Sequence, residues 1–477
     1  MAVRVKLDSL NEQQKKIIRE CLYLQPKNTN FAAGKQRFYQ NEKEPILFYW
    51  IDKPKGEIVL PYTFANTLLG QHINSQLKFP PGRFIFMGQL RENQIDPVNK
   101  AWEQLDTLGT TTLSLPTGYG KSICSAYLSA KCLEKSGGLV MVITPRDTIQ
   151  QGWYETFTKE TTAAVWIVEN TLRIPELCNV ILCMNTRFDK LPREITSMVS
   201  TLVLDEAHLL CVPSNVSMLL GTCPKYVIAC TATLERTDDL HKMIQTVAGT
   251  HKVEVKNEKF FTVYKLNTGI QSVLTKNKQG TTDFANLTKT LSMDPVRNAI
   301  IVDLVEKNPN KKVMILSWNK QHVKVLHDVF KNRGQSVDFL AGTKSSYEDS
   351  RILLGTISKV GTGFDAKNVA INWDGLHIDT LILAGSTKSL TLHTQTIGRA
   401  FRSNNPTIID LVDDNPIAKR HWSVRKKNYD SLNCEIKEFF LNVNALTKNE
   451  MAEEEALQAG QLERVNKLRE KMALKPL

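Results

Sequence analysis

At 477 residues the chain is too long for one ordinary core, which predicts two or three domains. Hydrophobic residues make up 42% and charged residues 23%, an ordinary globular balance that excludes wholesale disorder. Lysine and arginine outnumber aspartate and glutamate by 61 to 49, a formal charge of +12. That excess fits association with a polyanion, nucleic acid foremost, or a merely basic soluble protein. The nine cysteines form no C-x-x-C pair, and several lie in apolar runs such as "NVILCMN" and "YVIACTAT". They read as small buried hydrophobes in a reducing compartment, not as a disulfide framework. The opening "MAVRVKLDSLNEQQKK" lacks the apolar core of a secretory signal, and no run of eighteen apolar residues occurs. The expectation is an intracellular protein that spans no membrane.

Residues 1–88 predict a small accessory domain. It opens on a helix ("LNEQQKKIIRECLYL"), continues in strand-like pieces ("EPILFYWI", "GEIVLPYTFA") and is punctuated by "KFPPGRF". From residue 89 to 250 short apolar runs alternate with helical segments: "TTTLSLPT", "GLVMVITP", "NVILCMN", "STLVLDEA", "KYVIACTAT". Runs without polar alternation suit strands buried on both faces, and the intervening helices imply a parallel sheet. Such a sheet holds its ligand at the carboxyl ends of its strands. Every conspicuous polar cluster falls there. The polar, lysine-rich stretch 251–290 reads as a connector. A second series over 291–430 ("KKVMILSW", "SVDFLAGT", "RILLGTI", "DTLILAGS", "PTIIDLVDD") predicts a second α/β domain. Residues 431–477 are charged and rich in helix formers, and predict a helical extension, solvated or docked on a partner.

"LSLPTGYGKSIC" carries the end of a phosphate-binding loop, with Leu115 where the first glycine of G-x-x-x-x-G-K-[ST] belongs. A strand precedes it and a helix follows. Amides near Gly118 and Gly120 would face a phosphate, Lys121 would reach the β/γ-phosphates, and Ser122 would offer its hydroxyl to Mg²⁺. "TLVLDEAHLL" is an apolar strand ending in two acids. Asp205 is placed to hold Mg²⁺, and Glu206 to orient or deprotonate the attacking water. A lone acid pair at a strand end is commonly just solvated, but a phosphate loop in the same sheet weighs against that here. His208 is read as coupling these acids to "TATLER", where Thr231 and Thr233 end the next strand.

With "LPTGYGKS", "LDEAH" and "TAT" in order, the chain resembles superfamily 2 helicases and translocases. "QTIGRAFR" matches Q-x-x-G-R-x-x-R with Gln395, Gly398, Arg399 and Arg402, and "GTISKVGTGFD" looks like motif V with Thr356, Gly361, Gly363 and Asp365. "LRENQ" resembles the adenine-recognition segment with Arg91 and Gln94, and "ITPRDTIQQGW" resembles motif Ia. The resemblance covers roughly residues 90–425. It implies two tandem RecA-like domains that bind ATP and Mg²⁺. Pro116, Thr117, Gly118, Tyr119, Gly120, Lys121 and Ser122 would hold nucleotide, with Gly363 and Asp365 assisting. Gln395, Arg399 and Arg402 would join Lys121, Asp205 and Glu206 in catalysis, the arginines stabilising charge on the transferred phosphoryl group. Pro145, Arg146, Thr186, Gly342, Thr356 and Lys359 would track a nucleic-acid backbone.

A narrower resemblance is to the transcript-release DNA helicase of poxviruses and other large cytoplasmic DNA viruses. It rests on "IVLPYTFANTLLG", "LSMDPVRNAIIVDLV" and "TGFDAKNVAINWDGLHIDTLILAGS". It implies a viral protein of the host cytoplasm or virion that works on DNA beside the transcription machinery. Motif III begins with threonine, and the long carboxyl-terminal domains of DEAH-type RNA helicases have no room here. Both features favour DNA over RNA. RNA helicase activity, or a transcription or packaging subunit that uses ATP structurally, are the alternatives. The basic stretch "AKRHWSVRKKNYD" interleaves Trp422 and Tyr429 with cations. It fits either stacking on nucleic acid or an amphipathic helix with buried aromatics.

Overall fold

The computed structural model describes residues 1–24, 45–116, 118–169, 172–231, 241–256, 259–277, 280–360, 364, 366–403 and 406–441. The chain forms two compact units, Met1–Lys256 and Asn257–Leu477.

The first unit is built on a seven-stranded, wholly parallel sheet. Its spatial order is Val253–Glu254, Thr110–Ser114, Tyr226–Thr231, Val199–Leu204, Leu139–Thr144, Val180–Met184, Val165–Ile167. Every residue of the central strands Val199–Leu204 and Tyr226–Thr231 is buried, as expected of strands covered on both faces. Side chains alternate between the faces. Val140, Val142, Val203 and Ile228 pack with Leu105, Leu128, Trp153 and Phe157 of three flanking helices. Met141, Ile143, Leu202, Leu204 and Ala229 pack on the other side with Met1, Val3, Leu60, Tyr62 and Val247.

The amino-terminal segment therefore supplies one covering layer of the sheet. It has an antiparallel sheet of its own, in the order Ala2–Lys6, Glu57–Pro61, Trp50–Asp52. The opening helix, Glu12–Cys21, starts at a capping box between Asn11 and Gln14. "GEIVLPYTFA" is strand only to Pro61 and continues as helix Tyr62–Leu69. The Tyr62 hydroxyl donates to the Lys225 carbonyl at 2.8 Å, and the Asn74 amide donates to the carbonyls of Ala2 (2.9 Å) and Pro224 (2.8 Å). The bonds to Lys225 and Pro224 tie the segment to a loop of the parallel sheet.

The second unit holds another seven-stranded parallel sheet, in the order Val337–Leu340, Ile352–Thr356, Val313–Ser317, Thr380–Leu383, Thr407–Val412, Phe261–Asn267, Cys434–Phe440. Two expectations are corrected here. The stretch read as a connector carries Val253–Glu254, an edge strand of the first sheet, and Phe261–Asn267, an interior strand of the second. Buried Phe261, Val263 and Leu266 anchor the latter between polar neighbours. The stretch read as a helical extension begins with the edge strand Cys434–Phe440, whose glutamates and lysine alternate with partly buried residues. Residues 442–477, including "NEMAEEEALQAGQLERVNKLREKMALK", lie outside the described residues.

Helix Pro416–Asp430 resolves the choice left open for its aromatics. Trp422 and Tyr429 are buried, and Arg425 makes a bidentate pair with Asp410 at 2.8 and 2.7 Å. Lys419, Arg420, Lys426 and Lys427 lie on its exposed side. Among the described residues no helix is long and apolar enough to cross a membrane.

Because the amino-terminal segment shares the core of the first sheet, Tyr62→Ala should destabilise that whole unit by about 3–5 kcal/mol. Denaturant unfolding followed by circular dichroism should show the unit's transition moving as one.

Candidate active site

The phosphate loop leaves the buried strand Thr110–Ser114 through Leu115, which is 1% exposed and packs in the core. Gly118 and Gly120 both adopt positive φ, +81° and +98°, a region that costs other residues free energy. A Cβ on Gly120 would also run into the side-chain nitrogens of Gln94 and Arg91. Helix Lys121–Ser136 starts directly after it. Lys121 and Ser122 therefore sit in its first turn, where unpaired amides and the helix dipole favour an anion. The Lys121 ammonium lies 3.5 Å from the Leu115 carbonyl, folded back over the loop. Pro116 accepts the Tyr119 amide at 3.2 Å; Thr117 lies outside the described residues.

Arg91 and Gln94 meet this loop. Gln94 is buried, accepts the Arg91 amide at 2.8 Å and donates to the Tyr119 carbonyl at 2.6 Å. The Arg91 guanidinium donates to the same carbonyl and lies 6.0 Å from the centre of the Tyr119 ring, whose hydroxyl donates to the Asn93 carbonyl.

Two strands away, Val199–Leu204 delivers Asp205 and Glu206, 7% and 9% exposed. The Asp205 amide donates to the Ile143 carbonyl at 3.0 Å, which fixes the turn against the neighbouring strand. Its carboxylate is held on both oxygens: Oδ1 accepts the Glu206 amide at 3.0 Å, and Oδ2 accepts the Trp153 indole N–H at 2.7 Å. Glu206 adopts φ +53°, a left-handed conformation that a non-glycine residue holds at a cost. His208 Nδ1 lies 3.0 Å from Thr231 Oγ1 and 3.5 Å from Glu206 Oε2. The imidazole thus bridges the acids to the end of the adjacent strand Tyr226–Thr231. Thr233 lies outside the described residues.

Burial, and next the adjacent Glu206, push the Asp205 carboxyl up to about 6, with Lys121 pulling the other way. Two adjacent buried carboxylates concentrate negative charge at this turn, with Lys121 the opposing charge on Asp205. No group of three or more ligating side chains stands ready for a metal among the described residues. The pair of carboxylates fits Mg²⁺, which is held by one or two carboxylates together with substrate phosphates, not by an all-protein cage. Asp205 and Ser122 are the residues that could hold it.

Pro145 and Arg146 follow strand Leu139–Thr144, and exposed Thr186 follows the paired strand Val180–Met184. All three stand at carboxyl ends, along the same edge as the acids. In the second unit Gly342, at φ +64°, follows Val337–Leu340, while Thr356 ends the neighbouring strand and Lys359 lies in the short helix after it. Gln395 is buried on helix Leu390–Ile397. That helix ends before the arginines. Arg399 caps a 3₁₀ turn that contains Arg402, and residues three apart in such a turn share a face. The Arg399 guanidinium donates to the Phe364 carbonyl at 2.7 Å. Gly363 and Asp365 lie outside the described residues. Sequence reasoning did not single out Trp153: it stood inside the motif Ia stretch, but nothing in its spacing revealed a bond to Asp205.

Residues 95–240 match the family described as DEAD/DEAH box helicase. Protein 161L of Invertebrate iridescent virus 6, named as a helicase, is 27% identical over 78% of this chain and 87% of its own length. Protein 055L of Frog virus 3 (isolate Goorha), also named as a helicase, is 26% identical over 80% and 87%. The solved structure of S. cerevisiae Dbp5 bound to RNA and ADP BeF3 is similar in fold. Its TM-score is 0.52 at 14% identity, covering 76% of this chain and 97% of that one.

Gly120→Ala should abolish nucleotide binding in a calorimetric titration while the protein stays folded. With the Asp205 carboxyl at about 6, metal binding must displace its proton at lower pH. Affinity for a Mg²⁺–nucleotide should be level above that pH and fall toward tenfold per unit below it.

Proposed function

We infer an ATP-driven nucleic-acid motor that works on DNA; the match of residues 95–240 to the DEAD/DEAH box helicase family, with its ATP-hydrolase chemistry, supports that reading. One observation carries the reading. Lys121, Asp205, Glu206 and the His208–Thr231 bridge all lie at the carboxyl edge of one parallel sheet. Phosphate binding, metal binding and water activation need those groups side by side.

In this reading the loop amides and Lys121 bind the phosphates, and Arg91 and Gln94 recognise the base. Mg²⁺, when bound, neutralises phosphate charge. Glu206 orients the attacking water and accepts its proton. His208 reports the state of the acids to Thr231. Arg399 and Arg402 keep the phosphoryl-charge role that the family resemblance implies, as do Gly363 and Asp365 the nucleotide role. Pro145, Arg146, Thr186, Gly342, Thr356 and Lys359 are the candidates for the backbone track. The threonine that opens motif III, and the segments shared with the viral transcript-release helicases, support DNA and a role in viral transcription. Dbp5, solved with RNA, keeps RNA as the competing track.

Glu206→Gln should bind ATP normally and hydrolyse it 10²–10⁴-fold more slowly, whereas Lys121→Ala should lose binding. ATPase assays with single-stranded DNA, duplex DNA, RNA and hybrid should show the largest stimulation by DNA. Hydrolysis by Glu206→Gln at the normal rate would remove its assigned role. A wild-type rate indifferent to every nucleic acid would end the motor reading, and no hydrolysis in a single turnover with saturating DNA would leave ATP as a structural ligand.

A further inference from the structure

We propose that Trp153 is a positioning residue for Asp205, fixing the metal-binding carboxylate through its indole N–H. The inference rests on the functional reading above, which gives Asp205 its metal.

Trp153 lies on helix Asp147–Glu160 and is 1% exposed. Its ring stacks on Phe157, with centroids 6.0 Å apart and planes at 26°, and Phe157 meets Phe84 edge-on at 5.8 Å. The indole is thus locked by packing, and its one donor has a fixed direction. That donor ends 2.7 Å from Asp205 Oδ2.

A buried tryptophan commonly finds some partner for its N–H, so the choice of partner matters. Here it is the oxygen of a buried acid whose other oxygen is already committed to the Glu206 amide at 3.0 Å. Two bonds on two different oxygens fix both the plane and the rotation of the carboxylate. Each oxygen keeps a second lone-pair site free. A neutral donor also suits the place: it steadies an anion without supplying a full charge that would compete with a cation. Neighbours that orient a metal ligand in this manner set its affinity.

The assignment is tested on the full chain by calorimetric binding of ADP with and without Mg²⁺. Trp153→Phe keeps the ring and removes the donor. It should leave metal-free affinity unchanged and cut the gain from Mg²⁺ about tenfold. Phe157→Leu loosens the same packing without touching the donor; it should lower the melting temperature and keep the gain. In an Asp205→Asn background Trp153→Phe should cost nothing further, because both act through one carboxylate. The indole N–H resonance of Trp153 in the wild-type protein provides a reading that needs no tryptophan variant. It should move on adding Mg²⁺ and ADP, and that response should vanish in Asp205→Asn. A Trp153→Phe protein with an undiminished gain, an equal loss in Phe157→Leu, or an indole resonance blind to Mg²⁺ and ADP would overturn the assignment. A wild-type protein whose ADP binding ignores Mg²⁺ would instead overturn the metal role of Asp205, and the assignment with it.

Discussion

A strand covered on both faces can carry an unpaired charged side chain only where it ends, because anywhere else the charge would be buried in apolar core. The first sheet obeys this constraint throughout. Val199–Leu204 is uniformly buried and apolar or hydroxylic, and Asp205 and Glu206 follow it immediately. Thr110–Ser114 runs into the phosphate loop in the same way, Leu139–Thr144 into Pro145 and Arg146, and Tyr226–Thr231 ends on the threonine that meets His208. Parallel pairing points all four endings in one direction. The chemistry is thereby gathered on one edge from residues spread over more than a hundred positions of sequence.

That constraint also explains which parts were legible beforehand. Doubly buried strands print themselves as apolar runs, so five strands between 110 and 231 and five between 313 and 412 could be read directly, whereas the short Val165–Ile167 was not. Leu115, the residue in place of the loop's first glycine, is buried with the strand it leaves. The amino-terminal layer was harder. Met1, Val3, Leu60 and Tyr62 cover a face of the sheet, but a short antiparallel sheet looks the same in sequence whether or not it is docked. Phe261–Asn267 was hidden for another reason. Only Phe261, Val263 and Leu266 are buried, and Lys265 with the lysines around it gives the stretch a linker's composition. Trp153 was hidden most completely. A side-chain bond across 52 positions, between a helix and a strand end, leaves no periodic trace.

The second unit shows how basic residues divide between frame and surface. Arg425 and Arg297 are buried in ion pairs with Asp410, inside strand Thr407–Val412, and Asp413, just beyond it. Removing either partner of such a pair strands a charge in the core. These arginines hold helices Pro416–Asp430 and Pro295–Glu306 to the sheet. Lys419, Arg420, Lys426 and Lys427 are left exposed on the outside of the first of those helices. Each buried pair sums to zero, so the +12 balance is carried by other groups, such as these exposed cations.

Glu206 concentrates the competing demands of the first unit. To follow a doubly buried strand and still turn toward the loop that carries Lys121, the backbone must bend within one residue. It does so at φ +53°, where glycine is the ordinary occupant. A glycine would relieve the strain, yet it would remove the carboxylate that lies 3.5 Å from His208. The local cost is held by bonds on both sides: the Glu206 amide to Asp205 Oδ1, and the Glu206 carbonyl accepting the Leu209 amide at 2.7 Å. The turn that the fold disfavours is therefore the one place where strand end, acid and histidine can meet.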